Sequence, residues 1–185
     1  MKQNESIVMY VLRLAGTLLL ICAVTAGLLA GVNAITAPII AELNAAATQE
    51  AISAVLPGGF DSEITDYADA SGIVSKVYQG EAGYALEVGP GGFDNTITMM
   101  VGIDNEGKVL GISIVSHTET AGLGAVAAEN TSKGEDFRSQ FVGKSGSVAV
   151  SKDGGAIEAI TGATITSRAI CVGVNAALDC VAGLG

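Results

Sequence analysis

The chain has 185 residues, 49% hydrophobic but only 4% aromatic, with 25 glycines, no tryptophan and a formal net charge of −10. Mean hydropathy is positive (+0.50), high for one soluble domain, and indicates a membrane segment beside a compact domain. Beyond residue 34 the chain holds eighteen acids against seven bases, a balance that repels phosphate backbones and excludes nucleic acid as a partner.

From Leu14 to Val32 nineteen residues carry no charge, enough for a helix to cross a hydrocarbon core of about 30 Å. A cleaved signal peptide is the alternative, with Val32-Asn33-Ala34 as its cleavage site, but its apolar core is usually about 7–15 residues. Length favours a retained anchor over residues 1–34. Lys2 and Arg13 precede the span and Glu42 and Glu50 follow it, which predicts a cytoplasmic N-terminus and an extracytoplasmic domain at the cell membrane.

Thr36-Ala-Pro38 predicts a second, membrane-proximal helix within residues 35–60, with Thr36 as cap and Pro38 in the first turn. Ile39, Ile40, Leu43, Ala47, Ala51 and Val55 recur at helical spacing, and Pro57-Gly-Gly59 ends the run. The remaining domain spans residues 61–185. Its first stretch, Asp61–Gly72, is acidic and reads as a surface connection.

Four strands follow: Ile73–Gln79, Tyr84–Val88, Thr96–Ile103 and Lys108–Ser116, separated by Gly80–Gly83, Gly89–Gly92 and Asp104–Gly107. Consecutive antiparallel strands of this kind predict a meander with one covered face. The fold class is therefore α+β, a mainly antiparallel sheet with flanking helices behind one transmembrane helix. A short helix is expected over Ala125–Asn130. Phe137 and Phe141 stand on one helical face, and Val148–Ser151 reads as a strand. Ser167–Val181 reads as the closing helix, with Thr166 or Ser167 as its cap.

Three cysteines are present. Cys171 and Cys180 lie nine apart on the closing helix, about 13 Å along its axis, beyond the ~7 Å a disulfide spans. No cysteine or histidine spacing points to a metal.

Two segments carry candidate chemistry. His117-Thr-Glu-Thr-Ala-Gly-Leu-Gly124 holds the single histidine and a Gly-x-Gly that lacks the rest of a dinucleotide fingerprint. Glu158-Ala-Ile-Thr-Gly-Ala-Thr-Ile-Thr-Ser167 places small residues and four hydroxyls before a helix, where free N–H groups favour a phosphate. On spacing alone, a hydroxyl-rich cap without a ligand is the commoner outcome. Thr164 has no basic neighbour in its own segment, so any phosphoryl chemistry there needs outside activation.

Thr161-Gly-Ala-Thr-Ile-Thr-Ser167 resembles the flavinylation motif of the FMN-binding domain family. That family includes the G subunit of the Rnf ion-translocating ferredoxin:NAD oxidoreductase and the C subunit of the sodium-translocating NADH:quinone reductase. His117–Gly124 and Phe137–Lys144 resemble further segments of the family, as do the single N-terminal span and Val55-Leu-Pro-Gly58; the length is closer to the Rnf protein. The resemblance implies FMN joined through its phosphate to Thr164 by a flavin transferase that uses FAD as donor. It also implies cofactor contacts from Glu158, Thr161, Gly162, Ala163, Thr166, Ser167, His117, Glu119, Thr120, Gly122, Leu123 and Gly124. Glu158 stands where the family usually has aspartate, and Ala121 where it often has proline. The implied function is a membrane-anchored electron relay within a multisubunit ion pump. The expected partners are the other membrane subunits, the transferase and the lipid bilayer, and no independent catalytic activity is expected. The alternatives are a stand-alone FMN-carrying surface protein and an acidic anchored interaction domain without flavin.

Overall fold

The computed structural model describes residues 2–184, with side chains from residue 9 onward. Its contacts divide the chain into one unit up to Ala46 and a second from Ala47 onward.

A single helix, α1, runs from Lys2 to Val55 with Pro38 inside it. The second helix expected to start at Thr36 is thus a continuation. Thr36 does not cap: its hydroxyl donates to the Val32 carbonyl at 3.0 Å, the back-bond of a hydroxyl within a helix. Pro38 leaves only the Ala34 carbonyl without its helical donor, and the exposed position leaves that carbonyl other partners. Large apolar side chains from Met9 to Leu43 are exposed, including Leu14, Leu19, Leu28, Leu29 and Ile39. A helix of this length and composition can cross a membrane, where lipid covers such side chains.

The second unit is built on a five-stranded antiparallel sheet in the order β1-β2-β3-β4-β5: Ser62–Ile64, Val74–Gly80, Gly83–Val88, Thr98–Asp104 and Val109–Ser116. Every neighbour in the sheet is also a neighbour in sequence, so the sheet is a pure meander. The β2–β3 hairpin closes on Gly80↔Gly83. At the β4–β5 turn, Asp104 Oδ1 accepts from the N–H groups of Glu106 and Lys108, both at 2.8 Å. β1 occupies part of the stretch read as a plain connection.

Both faces of the sheet are covered, where the sequence pattern predicts one. On one face lie Val77, Leu86, Val88, Met99, Val101 and Ile103, packed with Ile170, Val174 and Leu178. On the other, Ala51, Ile52, Val55 and Leu56 cover Tyr78, Ala85 and Met100. The helical seam in α1 therefore splits: Ile39, Ile40 and Leu43 are exposed, while Ala51 and Val55 belong to the core.

Beyond β5 the chain crosses a 3₁₀ turn, Gly124–Ala127, and reaches α2, Ser132–Ser139. Thr131 caps α2, accepting from the Gly134 N–H. Phe137 and Phe141 are buried and meet edge to face with centroids 5.5 Å apart. The strand expected at Val148–Ser151 reduces to one parallel bridge, Val150↔Ile157, followed by a 3₁₀ turn, Ser151–Asp153. The closing helix α3 spans Thr164–Leu184, starting three residues earlier than the spacing predicts. It is apolar and long enough to resemble a membrane span, but two thirds of it is buried, so it serves as the core helix of this unit.

Candidate functional site

The site assembles where three connections converge on the first turn of α3. Phe93, Glu119, Thr120, Leu123, Gly124, Lys152 and the run Gly162–Thr166 line a cavity of about 290 Å³. That is close to the lower end of ligand pockets, roughly 300–1,000 Å³, so a larger ligand would keep part of its surface outside.

The helix start is arranged by backbone first. Ala163 N–H donates to the Ile160 carbonyl at 2.9 Å, and Gly162 takes φ +79°, a left-handed conformation that favours glycine. The first intrahelical bond runs from Ser167 N–H to Ala163 O at 3.0 Å. Thr164, Ile165 and Thr166 are thus the first three helical residues, whose N–H groups have no acceptor within the helix. Ala163 has no side-chain oxygen to cap them. Such donors, with the positive end of the helix dipole, suit an anion.

The predicted caps do other work. Ser167 is fully buried; its hydroxyl donates to Ala163 O at 2.9 Å and accepts from Ile160 N–H at 3.0 Å. Thr166, also buried, donates to a Glu119 carboxylate oxygen. Both hydroxyls face inward and hold the turn together.

Glu119 is the buried centre of the site. Its Oε1 accepts from Phe93 N–H at 2.8 Å, and Oε2 accepts from Thr166. One carboxylate thereby ties the Gly89–Asn95 loop, the loop after β5 and α3. Gly124 makes this approach possible: a Cβ there would lie 2.5 Å from Glu119 Oε2 and 2.6 Å from Thr166 Oγ1. His117 sits outside the cavity lining, and its Nδ1 accepts from Glu119 N–H at 3.2 Å, so it shapes the loop.

Thr164 is half-buried and lines the cavity. Its hydroxyl accepts from Lys152 Nζ at 3.2 Å. Arg168 on α3 grips Asp153 with two bonds of 2.6 Å, Nε to Oδ2 and Nη2 to Oδ1. The guanidinium beside it holds the Asp153 carboxyl below its ordinary range. Phe93, Leu123 and Ile165 are exposed apolar residues around the opening.

Of the residues the sequence marks as cofactor contacts, the structure brings Glu119, Thr120, Leu123, Gly124, Gly162, Ala163, Thr164 and Thr166 to one cavity. Glu158, Thr161 and Gly122 line a neighbouring groove that shares Leu123. There the backbone of Glu158 pairs with the Gln140 amide, at 2.7 and 3.2 Å, and Ser151 Oγ donates to Glu158 Oε2 at 3.3 Å. Lys152 and Phe93 are cavity residues the sequence reading missed. Phe93 follows a Gly-Pro-Gly-Gly break, an exposed aromatic in a turn; Lys152 had no local signal.

A small apolar-rimmed cavity at a helix start, lined by a hydroxyl and an ammonium, has the donor chemistry that suits a phosphate-bearing ligand. Residues 92–179 match the FMN-binding domain family, which covers that cavity, and residues 1–55 match the RnfG N-terminal region. Similar chains include the G subunit of the ion-translocating oxidoreductase complex of Methanosarcina acetivorans, 30% identical over 176 residues, 89% of this chain and 91% of that one. The G subunit of the Na(+)-translocating ferredoxin:NAD(+) oxidoreductase complex of Acetobacterium woodii is 33% identical over 149 residues, 68% of this chain and 69% of its own. For the G subunit of the proton-translocating ferredoxin:NAD(+) oxidoreductase complex of Clostridium ljungdahlii, identity is 40% over 100 residues, and the match spans about half of each chain, 52% of this one and 51% of the relative. The chain belongs to the family of G subunits of ion-translocating oxidoreductase (Rnf) complexes, with an FMN-binding domain match within its second unit.

Proposed function

We propose that this protein carries FMN bound covalently through a phosphoester to Thr164 and relays electrons within a membrane-bound, ion-translocating ferredoxin:NAD oxidoreductase. The observation that carries the reading is the position of Thr164: the hydroxyl marked by the sequence motif lines the cavity at the first residue of α3. The residues present suit the group. The N–H groups of Thr164, Ile165 and Thr166 would hold the phosphate, and Phe93, Leu123 and Ile165 would hold the apolar ring system at the opening.

FMN supplies reversible electron acceptance, chemistry that none of the surrounding side chains has. The chain's own contribution is placement. Glu119 fixes the Phe93 loop against α3, and Ser167 fixes the turn that presents Thr164. A cavity near the lower size limit leaves part of the cofactor outside, as transfer to a neighbouring protein requires. A covalent bond prevents loss of the cofactor on the extracytoplasmic side, the placement that Lys2 and Arg13 before the span support. The partners in this reading are the other membrane subunits, lipid around α1, and a flavin transferase that attaches FMN from FAD.

The test is flavin fluorescence of the denatured protein on a gel, after expression with the transferase. The wild-type band should fluoresce and carry the added mass of FMN less water; Thr164→Ala should lose both. A wild-type band without either would overturn the reading.

A further inference from the structure

The cation at Thr164 comes from outside the sequence motif. Lys152, twelve residues upstream, donates to Thr164 Oγ1 at 3.2 Å. The 3₁₀ turn that carries it is fixed from two sides. Val150 bridges Ile157 in parallel register, and its carbonyl accepts from Gly155 N–H at 3.0 Å. On the other side Asp153 is held by Arg168, four residues after Thr164 and so on the same face of α3.

The charge pairing is selective. Lys152 makes no ion pair among the described residues, in a chain with nineteen acids and nine bases. The adjacent carboxylate, Asp153, has both oxygens engaged by Arg168. The bidentate pair thus does two things at once: it pins the turn beneath Thr164, and it leaves the Lys152 ammonium with the hydroxyl instead of the neighbouring acid.

Resting on the assignment of Thr164 as the flavinylated residue, we propose that Lys152 is the charge partner of the phosphodiester formed there, and that Asp153 and Arg168 are its positioning residues. With FAD as donor, the Thr164 Oγ–phosphorus bond forms as the pyrophosphate P–O bond breaks; AMP leaves, and the hydroxyl proton passes to a base of the transferase. An ammonium beside Oγ favours release of that proton. It then remains against the single negative charge of the product, preorganised for it by the Asp153–Arg168 pair. The motif supplies the nucleophile, and the turn supplies its counter-charge.

The experiment uses the full-length protein in detergent, expressed without the transferase and then treated with purified transferase and FAD, with intact mass followed over time. Wild type should gain FMN at Thr164. Lys152→Ala should lower kcat/KM of loading by roughly ten-fold or more, the size expected for a lost charge-assisted hydrogen bond. Lys152→Arg should recover most of the rate. Asp153→Asn should fall between, and Asp153→Glu should restore it. Lys152 and Asp153 are exposed, and unchanged thermal unfolding of each variant will show that the fold persists. As a second readout, the ³¹P resonance of the loaded protein should shift in Lys152→Ala. Loading of Lys152→Ala at the wild-type rate overturns this inference and leaves the Thr164 assignment standing. So does slow loading with an unmoved ³¹P resonance, which makes Lys152 a contact for the transferase. Wild type that takes no flavin at Thr164 overturns the assignment itself, and this inference with it.

Discussion

At the scale of single residues, Glu119 and Gly124 decide the shape of the site. The Glu119 carboxylate is buried and shared among backbone and hydroxyl donors, which it can accept only because Gly124 leaves room. Gly124→Ala should therefore push the carboxylate off Thr166 and destabilise the domain by about 1–3 kcal/mol, the usual cost of overpacking. Thermal or denaturant unfolding of the wild type and variant will measure it, and an unchanged midpoint would show that the loop relaxes freely. Much of this site was legible in the sequence. Glu119, Gly124 and Thr164 lie in the two segments that the resemblance marked, whereas spacing alone favoured a plain helix cap. Lys152 was not legible, since its contact is made by a turn twelve residues away in sequence. The caps were misread for the opposite reason: Thr166 and Ser167 have the right chemistry, but their hydroxyls find partners inside the fold.

At the scale of elements, α3 is both the wall of the site and the main helix of the core. Cys171 sits on it, buried, and burial foremost, with Asp153 contributing, raises its thiol pKa to about 11. An unfolded thiol ionises near its ordinary value of 9.0. Between these values the unfolded chain releases a proton that the folded one keeps, so stability falls as pH rises through this window and levels off above it. Two pH units correspond to about 2–3 kcal/mol. Cys171→Ala should remove this part of the alkaline slope, measured as denaturation midpoints at pH 8 and pH 10.5 in both proteins. Equal slopes would place the alkaline loss elsewhere. The β2–β5 strands were readable from alternation and turn residues, while β1, three residues long, is too short to show a period. Pro38 misled because an exposed proline can be absorbed within a continuing helix at the loss of one bond.

At the scale of the whole molecule, the sequence showed an anchor and a domain but not where the domain's core begins. The packing of Ala51, Ile52, Val55 and Leu56 on Tyr78, Ala85 and Met100 settles it: the last turns of α1 are the second layer of the sheet. A chain of residues 47–185 should be soluble and cooperatively folded. One starting at residue 57 should expose that sheet face and aggregate or lose its melting transition. Expression, size-exclusion chromatography and circular dichroism of the two truncations will decide; equal behaviour would show that the α1 layer is dispensable. The covered second face was missed because β3 sets Glu87 beside Met100 there, although the apolar run of β4 through Met99, Met100 and Val101 is buried on both sides.

The buried carboxylate of Glu119 also sets an order of events. Its partners lie 26 residues before it and 47 after it, so they meet only when β4 and β5 have paired and α3 has docked. A chain emerging from synthesis carries the threonine motif before it has the cavity. Assembly of the pocket is therefore a report that folding is complete, and on the proposed function a cofactor held there would mark a finished molecule.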